Sequence, residues 1–170
     1  FGILKIQGWP IDVGLPRRET KIGLGHKGFA VEADPQMALA EAAARRDFTI
    51  NAIYFDPLNG EVCDPWGGLK DLEAGLLRHT SPAFIEDPLR VLRGMQLAAR
   101  FDCPVAPKTI ALCRQIDPEG LSDERIWPEW IKLLTLGVRP SRGLKFLQDC
   151  HWLKYFPELD ALRGCAQDPV

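Results

Sequence analysis

The chain contains 170 residues, of which 46% are apolar and 26% are charged, and these are ordinary values for a globular protein. This length suits one compact domain or two small ones. The net charge of −2 argues against a module dedicated to coating nucleic acid, since such modules are normally basic overall. A local basic groove remains compatible with this balance.

Cysteine usage and hydropathy indicate a reducing compartment and no membrane contact. No apolar run approaches the roughly 20 residues that a membrane helix needs. The five cysteines are an odd number without Cys-x-x-Cys spacing, and there are only three histidines, so neither a disulfide framework nor a zinc site is predicted. Reduced thiols and a cytoplasmic location are therefore expected. Because the first residue is Phe1 and not Met, we also expect the chain to start inside a longer polypeptide.

The first third of the chain is predicted to form strands and loops. Residues 2–16 contain two short extended runs, and the glycine-rich, charged stretch 20–36 is predicted to be a long mobile loop. Residues 37–44 favour a helix because they are rich in alanine. The β-branched and aromatic residues of 47–55 predict a strand, and turn residues then lead into 61–64, so the two segments are expected to form a hairpin.

From about Leu69 onward the pattern becomes helical. Ser81 and Asp87 each precede a proline, which is typical of a capping residue followed by the first residue of a helix. Further helices are predicted at 107–116, 122–136, 140–150 and 158–163. The fold class is therefore α+β, with a small β-sheet and helices followed by an all-helical part. We expect the boundary between the two parts near residues 68–82.

Asp87 and Arg90 are spaced to read a nucleobase. They are three residues apart and project from one helical face, where a carboxylate accepts hydrogen bonds and a guanidinium donates them. Cytosine and adenine present an amino donor beside a ring acceptor, whereas uracil and guanine present the opposite order. The pair could thus accept C or A and refuse U or G, at about 1–3 kcal/mol per bidentate contact. Alternatively, Asp87 only caps a helix and Arg90 pairs with Glu86.

The stretch 44–52, ARRDFTINA, is a second candidate for binding a nucleotide. Arg46 could contact phosphate, and Asp47 could bind a ribose hydroxyl or a metal. On an alternating strand, Thr49 and Asn51 would share one face. The alternative is a solvated charge cluster at the start of a strand.

Two further features carry less information. Asp12 lies between apolar residues on a predicted short strand, as a metal-binding carboxylate would, or it is simply an isolated acid. Arg125, Glu129 and Lys132 share one face of a predicted helix, which indicates an amphipathic helix with internal ion pairs.

Five motifs occur in a fixed order: RRDFTINA, DPWGGLKDL, EDPLRVLRGMQLAARF, ERIWPEWIKLL and YFPELDAL. Together they resemble the class II tRNA nucleotidyltransferase and bacterial poly(A) polymerase family, and the resemblance covers nearly the whole chain. It implies a partial nucleotidyltransferase head at 1–71, a nucleotide-selecting helical neck at 72–150, and the start of a helical body at 151–170. The segment 20–36 would correspond to the family's flexible segment, which helps to switch between C and A addition.

The resemblance also assigns roles to individual residues. Arg46 would contact the sugar or phosphates of the incoming nucleotide, and Asp47 would support it as part of the catalytic site. Asp87 and Arg90 would read the Watson–Crick edge, and Arg93 would contact the base or the triphosphate. A further arginine that the family often has one turn later is Gln96 in this sequence.

The reaction that the resemblance implies is transfer of CMP or AMP from CTP or ATP to the 3′ end of tRNA, with Mg²⁺ as cofactor. The Asp-x-Asp pair that binds the metal in this family does not occur in these 170 residues, so Asp12 is at most an auxiliary acid. We therefore expect the chain by itself to be inactive.

Three alternatives to CCA addition remain open from the sequence. A poly(A) polymerase, which adds AMP to RNA 3′ ends, shares every motif quoted. A non-catalytic nucleotide- or RNA-binding module would keep the base-reading pair without the metals. A helical scaffold with solvated arginines would show no preference among nucleotides.

Overall fold

A computed structural model describes residues 3–8, 10, 12–21, 29–162 and 164–165. The six described strands form three separate antiparallel pairs: β1 (Ile3–Lys5) with β2 (Asp12–Gly14), β3 (Arg17–Lys21) with β4 (Phe29–Ala33), and β5 (Tyr54–Phe55) with β6 (Val62–Cys63). Within the described residues, seven α-helices accompany them: α1 (Leu39–Ala44), α2 (Gly68–Glu73), α3 (Leu89–Arg100), α4 (Pro107–Cys113), α5 (Asp123–Leu136), α6 (Pro140–Asp149) and α7 (Pro157–Ala161). The predicted α+β class is confirmed.

The prediction of a mobile loop at 20–36 is wrong at both of its described ends. β3 and β4 pair over five positions, from Arg17 opposite Ala33 to Lys21 opposite Phe29. An isolated two-stranded ribbon is held by backbone hydrogen bonds and needs little alternation of apolar and polar residues. The charged sequence of this segment therefore did not predict its strands. Residues 22–28 lie outside the described residues.

The predicted strand at 47–55 is also mostly wrong. A 3₁₀ turn occupies Thr49–Asn51, and only Tyr54–Phe55 pairs as a strand, so the hairpin is confirmed at that pair alone. The Thr49 hydroxyl donates to a carboxylate oxygen of Asp71 at 2.5 Å, which fixes the backbone in a turn. Tertiary contacts thereby override β propensity. Thr49 is buried while Asn51 is exposed, so the two do not share a face.

The helical predictions are confirmed, with small differences at the ends, because they depend on local signals. Ser81 accepts a hydrogen bond from the N–H of Ala83 at 3.1 Å and caps a 3₁₀ helix at Pro82–Glu86. Asp87 accepts one from the N–H of Leu89 at 3.2 Å, just before α3. The Ser81 hydroxyl and the Asp87 carboxylate thus bind backbone N–H groups that have no partner within the first turn of a helix.

Helix α3 lies at the centre of the core and packs against α5 and α6. Gly143 of α6 permits the close approach, because a Cβ atom there would lie 2.5 Å from the Met95 carbonyl oxygen. The core cluster runs from Phe48 to Leu153, across the expected boundary between head and neck. This continuous core holds both ends of α3 in fixed positions.

The five cysteines are free thiols, three of them buried in the core. No helix in the described ranges is long and apolar enough to cross a membrane.

Candidate nucleotide-binding site

Asp47 is a buried carboxylate that three donors surround. It lies between α1 and the 3₁₀ turn, and it accepts hydrogen bonds from the N–H of Phe48 at 2.8 Å, from the Asn51 amide at 3.0 Å and from Nε of Arg93 at 2.5 Å. Burial alone would raise the pKa of Asp47, but the Arg93 charge and these hydrogen bonds outweigh it, so the pKa lies below its ordinary value. Asp47 is therefore ionised at neutral pH.

Arg93 is the partner of Asp47 and lies in the first part of α3. Burial acts to lower the pKa of Arg93, but the carboxylates of Asp47, Glu129 and Asp87 raise it above its ordinary value. About a third of the side chain remains exposed. The ion pair thus fixes a charged guanidinium that still reaches solvent.

Arg90 is bound to backbone carbonyl groups. Its Nη1 donates to the Ala83 carbonyl at 2.6 Å, and its Nη2 donates to the Arg45 carbonyl at 2.7 Å. The guanidinium carbon lies 6.0 Å from the centroid of the Phe84 ring. A guanidinium has five N–H donors, so three remain after these two contacts. Burial lowers the pKa of Arg90, and the nearby Asp87 charge opposes that shift.

Asp87 accepts from the start of α3 and from α5. Besides the contact with the Leu89 N–H, its two oxygens accept from Nη2 of Arg125 at 3.1 and 2.9 Å. Asp87 and Arg90 are thus close enough for their charges to interact, but each is oriented by partners of its own. The alternative, in which Arg90 pairs with Glu86, is replaced by the two carbonyl contacts.

Arg46 and Asp12 are placed differently from this group. Arg46 is exposed, and its guanidinium carbon lies 5.9 Å from the centroid of the Tyr54 ring, a cation–π arrangement. Asp47, which was expected to support Arg46, instead holds Arg93. Asp12 lies in β2, where it is in register with Lys5.

The residues that the structure describes do not form a magnesium site. Among them, no group of three His, Cys, Asp or Glu side chains is close enough to hold a metal ion. The Asp47 carboxylate already accepts from two neutral donors and from the Arg93 guanidinium, whose positive charge disfavours a metal cation beside it.

Helix α5 contributes residues whose roles the sequence did not reveal. Within the helix, Lys132 pairs with Glu129 at 2.6 Å as predicted, but Arg125 pairs across to Asp87. In the described structure, one oxygen of the buried Glu129 and the side-chain oxygen of the buried Gln96 have no hydrogen-bond partner. The three-to-four-residue spacing predicted which residues share a face of α5, but it did not predict that this face meets Asp87 at the start of α3.

Two sequence comparisons connect this geometry to known proteins. Residues 13–78 match the model of the poly A polymerase head domain. The multifunctional CCA protein of Stenotrophomonas maltophilia (strain K279a) is 48% identical over 164 residues, covering 92% of this chain and 40% of that protein. Its counterpart in Nitrosomonas eutropha is 48% identical over 158 residues, covering 90% of this chain and 38% of that protein.

Solved structures of CCA-adding enzymes are also similar to this chain. A CCA-adding enzyme of Bacillus stearothermophilus in complex with CTP superposes with a TM-score of 0.69 and 28% identity, over 85% of this chain and 35% of that one. A complex of a CCA-adding enzyme with ATP gives a TM-score of 0.63 at 27% identity, over 85% and 39% of the two chains.

The motifs, the fold and these comparisons define a nucleotidyltransferase head and helical neck. The chain belongs to the family of class II tRNA nucleotidyltransferases and bacterial poly(A) polymerases, as the sequence resemblance indicated. It spans about two fifths of the length of the curated relatives that it matches.

Proposed function

We propose that this chain selects the incoming nucleotide in an enzyme that adds CMP and AMP to the 3′ end of tRNA. The observation that carries the proposal is the convergence at the start of α3 of a fixed acceptor, Asp87, and a fixed donor, Arg90. The relatives' name and the CTP and ATP complexes of similar structures support this reading over other nucleotide chemistry.

The acceptor and donor can discriminate among the four bases. The amino group of cytosine or adenine would donate to Asp87, and the adjacent ring nitrogen would accept from one of the remaining N–H groups of Arg90. Uracil and guanine would place an acceptor against the carboxylate and a donor against the guanidinium, which leaves buried groups unpaired. Selection therefore needs no nucleic-acid template.

The neighbouring arginines suit the rest of the nucleotide. Arg46 is exposed, and Arg93 keeps a partly exposed charge that is held by Asp47, the residue next to Arg46, so both arginines fit contacts to sugar or phosphate oxygens. Asp47 acts here as the group that orients Arg93.

The same proposal includes tRNA as the substrate, a cytoplasmic location, and domain boundaries at residues 71 and 150.

Mg²⁺ is the cofactor that such phosphoryl transfer requires, and it would neutralise the triphosphate. The described residues of this chain do not hold it, so we assign them to binding and selecting the nucleotide and not to the chemical step. Asp12 is not given a metal-binding role.

Binding of the four nucleoside triphosphates to the 170-residue chain, measured by calorimetry, tests the proposal. CTP and ATP should bind more tightly than UTP and GTP. Asp87→Asn should reduce that preference about tenfold, because an amide can turn its donor toward the base. The proposal fails if the wild-type chain binds all four nucleotides equally, or if Asp87→Asn preserves the preference.

Poly(A) polymerase activity is the second candidate, because the family model that matches residues 13–78 is described by that activity. A longer polypeptide that carries this chain, given tRNA lacking its last three nucleotides together with CTP and ATP, separates the two. Addition of C, C and A supports tRNA repair, whereas a long A tract supports polyadenylation. Binding without any transfer supports a non-catalytic nucleotide-binding module.

A further inference from the structure

The contact between Arg125 and Asp87 joins two helices at the proposed base-reading site. Nη2 of Arg125, in the first turn of α5, lies 3.1 Å from Oδ1 and 2.9 Å from Oδ2 of Asp87. The two side chains are 26% and 33% exposed, so the pair is accessible from solvent. A ligand that reaches Asp87 therefore meets a carboxylate already oriented from α5.

The remaining hydrogen-bonding capacity of Asp87 is small and directional. A carboxylate has about four lone-pair positions, two on each oxygen. Oδ1 accepts from the Leu89 N–H and from Arg125, while Oδ2 accepts from Arg125. Against the donors that the described residues supply, one position on Oδ2 is left. A single amino donor, as on cytosine or adenine, would fill it.

We propose that Arg125 is a positioning residue that determines specificity: it holds Asp87 so that a single acceptor faces the nucleobase. The inference rests on the proposed function. Arg90 does not hold Asp87 in this way, because its hydrogen bonds orient it toward the carbonyls of Ala83 and Arg45. The acceptor is thus oriented by α5 and the donor by the segments before α3, and base selection depends on how these three elements are packed.

The chemistry of the contact separates this role from a structural one. A partly exposed ion pair contributes little to stability, so losing it should leave the fold intact. It should instead free the Asp87 carboxylate to rotate, which lowers the binding affinity only of those nucleotides that donate to its oriented acceptor. CTP and ATP would lose affinity, whereas UTP and GTP would not.

The test is calorimetric binding of CTP, ATP, UTP and GTP to the 170-residue chain carrying Arg125→Gln. We expect the CTP-to-UTP and ATP-to-GTP affinity ratios to fall about fivefold, less than the loss on removing the Asp87 charge. Arg125→Lys should restore part of the ratio, since lysine keeps the charge without the planar fork. In an Asp87→Asn background, Arg125→Gln should have no further effect on the ratio.

Arg142→Gln is the matched control. Arg142 forms the same kind of pair with Asp102, with 34% and 32% side-chain exposure, but beyond the other end of α3. It should leave both ratios unchanged. Unchanged ratios in Arg125→Gln, or an equal loss of affinity for all four nucleotides, would overturn the inference while the proposed function stands. A wild-type chain without any preference would overturn both.

Discussion

The two ends of α3 carry the same type of ion pair in different surroundings. Asp87 pairs with Arg125 at 2.9 Å before the helix begins, and Asp102 pairs with Arg142 at 2.6 Å after it ends. At the later end, Arg139 is a second cation for the same carboxylate, at 3.4 Å. The exposure of the paired side chains is similar at both ends.

What distinguishes the beginning of α3 is the origin of the groups that meet there. Asp47 arrives from the turn after α1, Arg125 from α5, and Arg90 and Arg93 from α3 itself. At the later end, the cations that pair with Asp102 come from one place, the start of α6 and the residue just before it. An Asp–Arg pair is therefore no marker of a binding site by itself. Donors and acceptors that converge from distant segments, with hydrogen-bonding capacity left over, are a better one.

The largest expected effect comes from breaking the packing that keeps the two ends of α3 in place. In Gly143→Ala, the new Cβ atom would lie 2.5 Å from the Met95 carbonyl oxygen and 2.9 Å from a methyl group of Leu133. Backbone atoms must shift, so we expect a loss of about 3 kcal/mol in the free energy of unfolding, measured with urea.

Ser141→Ala, on the exposed surface of the same helix, is the control and should be nearly neutral. Equal stability of the two variants would show that α6 can move away from α3 without cost. The packing explanation for the fixed geometry would then be wrong.

Next in size is the removal of the buried carboxylate at the beginning of α3. Asp47→Asn keeps an oxygen for the Phe48 N–H but leaves Arg93 without its countercharge. We expect the free energy of unfolding to fall by about 2 kcal/mol, the cost of a lost charged hydrogen bond, with Arg93 partly rescued by water. Asp102→Asn, at the other end, should cost less because the Asp102 side chain is about a third exposed, whereas Asp47 is buried.

The same carboxylate should give the beginning of α3 a distinct pH dependence. The pKa of Asp47 is lower in the folded protein than its ordinary value of 3.8. Its ionised form therefore stabilises the fold above that pH, and the contribution disappears as the pH falls through the folded value. The stability difference between wild type and Asp47→Asn should stay constant from neutral pH down to about pH 4 and then narrow as the pH falls below 3.8. A difference that stays constant below that pH would contradict the lowered pKa.

Sequence signals were sufficient where the structure is local. Ser81 and Asp87 each accept from a backbone N–H two residues later, and three of the helices beyond residue 100 begin at a proline, at Pro107, Pro140 and Pro157. The failure at 47–55 has the opposite cause. Thr49 is held by Asp71, 22 residues later in the chain, and this contact outweighs β propensity.

The candidate site divides in the same way. The order and spacing of Asp87, Arg90 and Arg93 could be recognised in the sequence, and with them the chemistry that they suit. Their partners could not, since Arg125 is 38 residues from Asp87 and Arg90 binds a carbonyl 45 residues away. Which carbonyl faces a guanidinium is decided by the packing of whole helices, and a motif does not contain that information.

The smallest predicted effect concerns the later end of α3. Arg142→Gln removes one cation from Asp102, but Arg139 remains at 3.4 Å from the carboxylate. The side chains of Asp102, Arg142 and Arg139 are 32%, 34% and 57% exposed. We expect a loss of about 0.5 kcal/mol in the free energy of unfolding, which high salt should reduce further because exposed charges are screened. A urea titration at low and at high salt measures both quantities. If Arg142→Gln lowered the free energy of unfolding more than Asp47→Asn does, the ion pairs of Asp102 would stabilise the fold more than their exposure predicts. The proposed difference between the two ends of α3 would then be wrong.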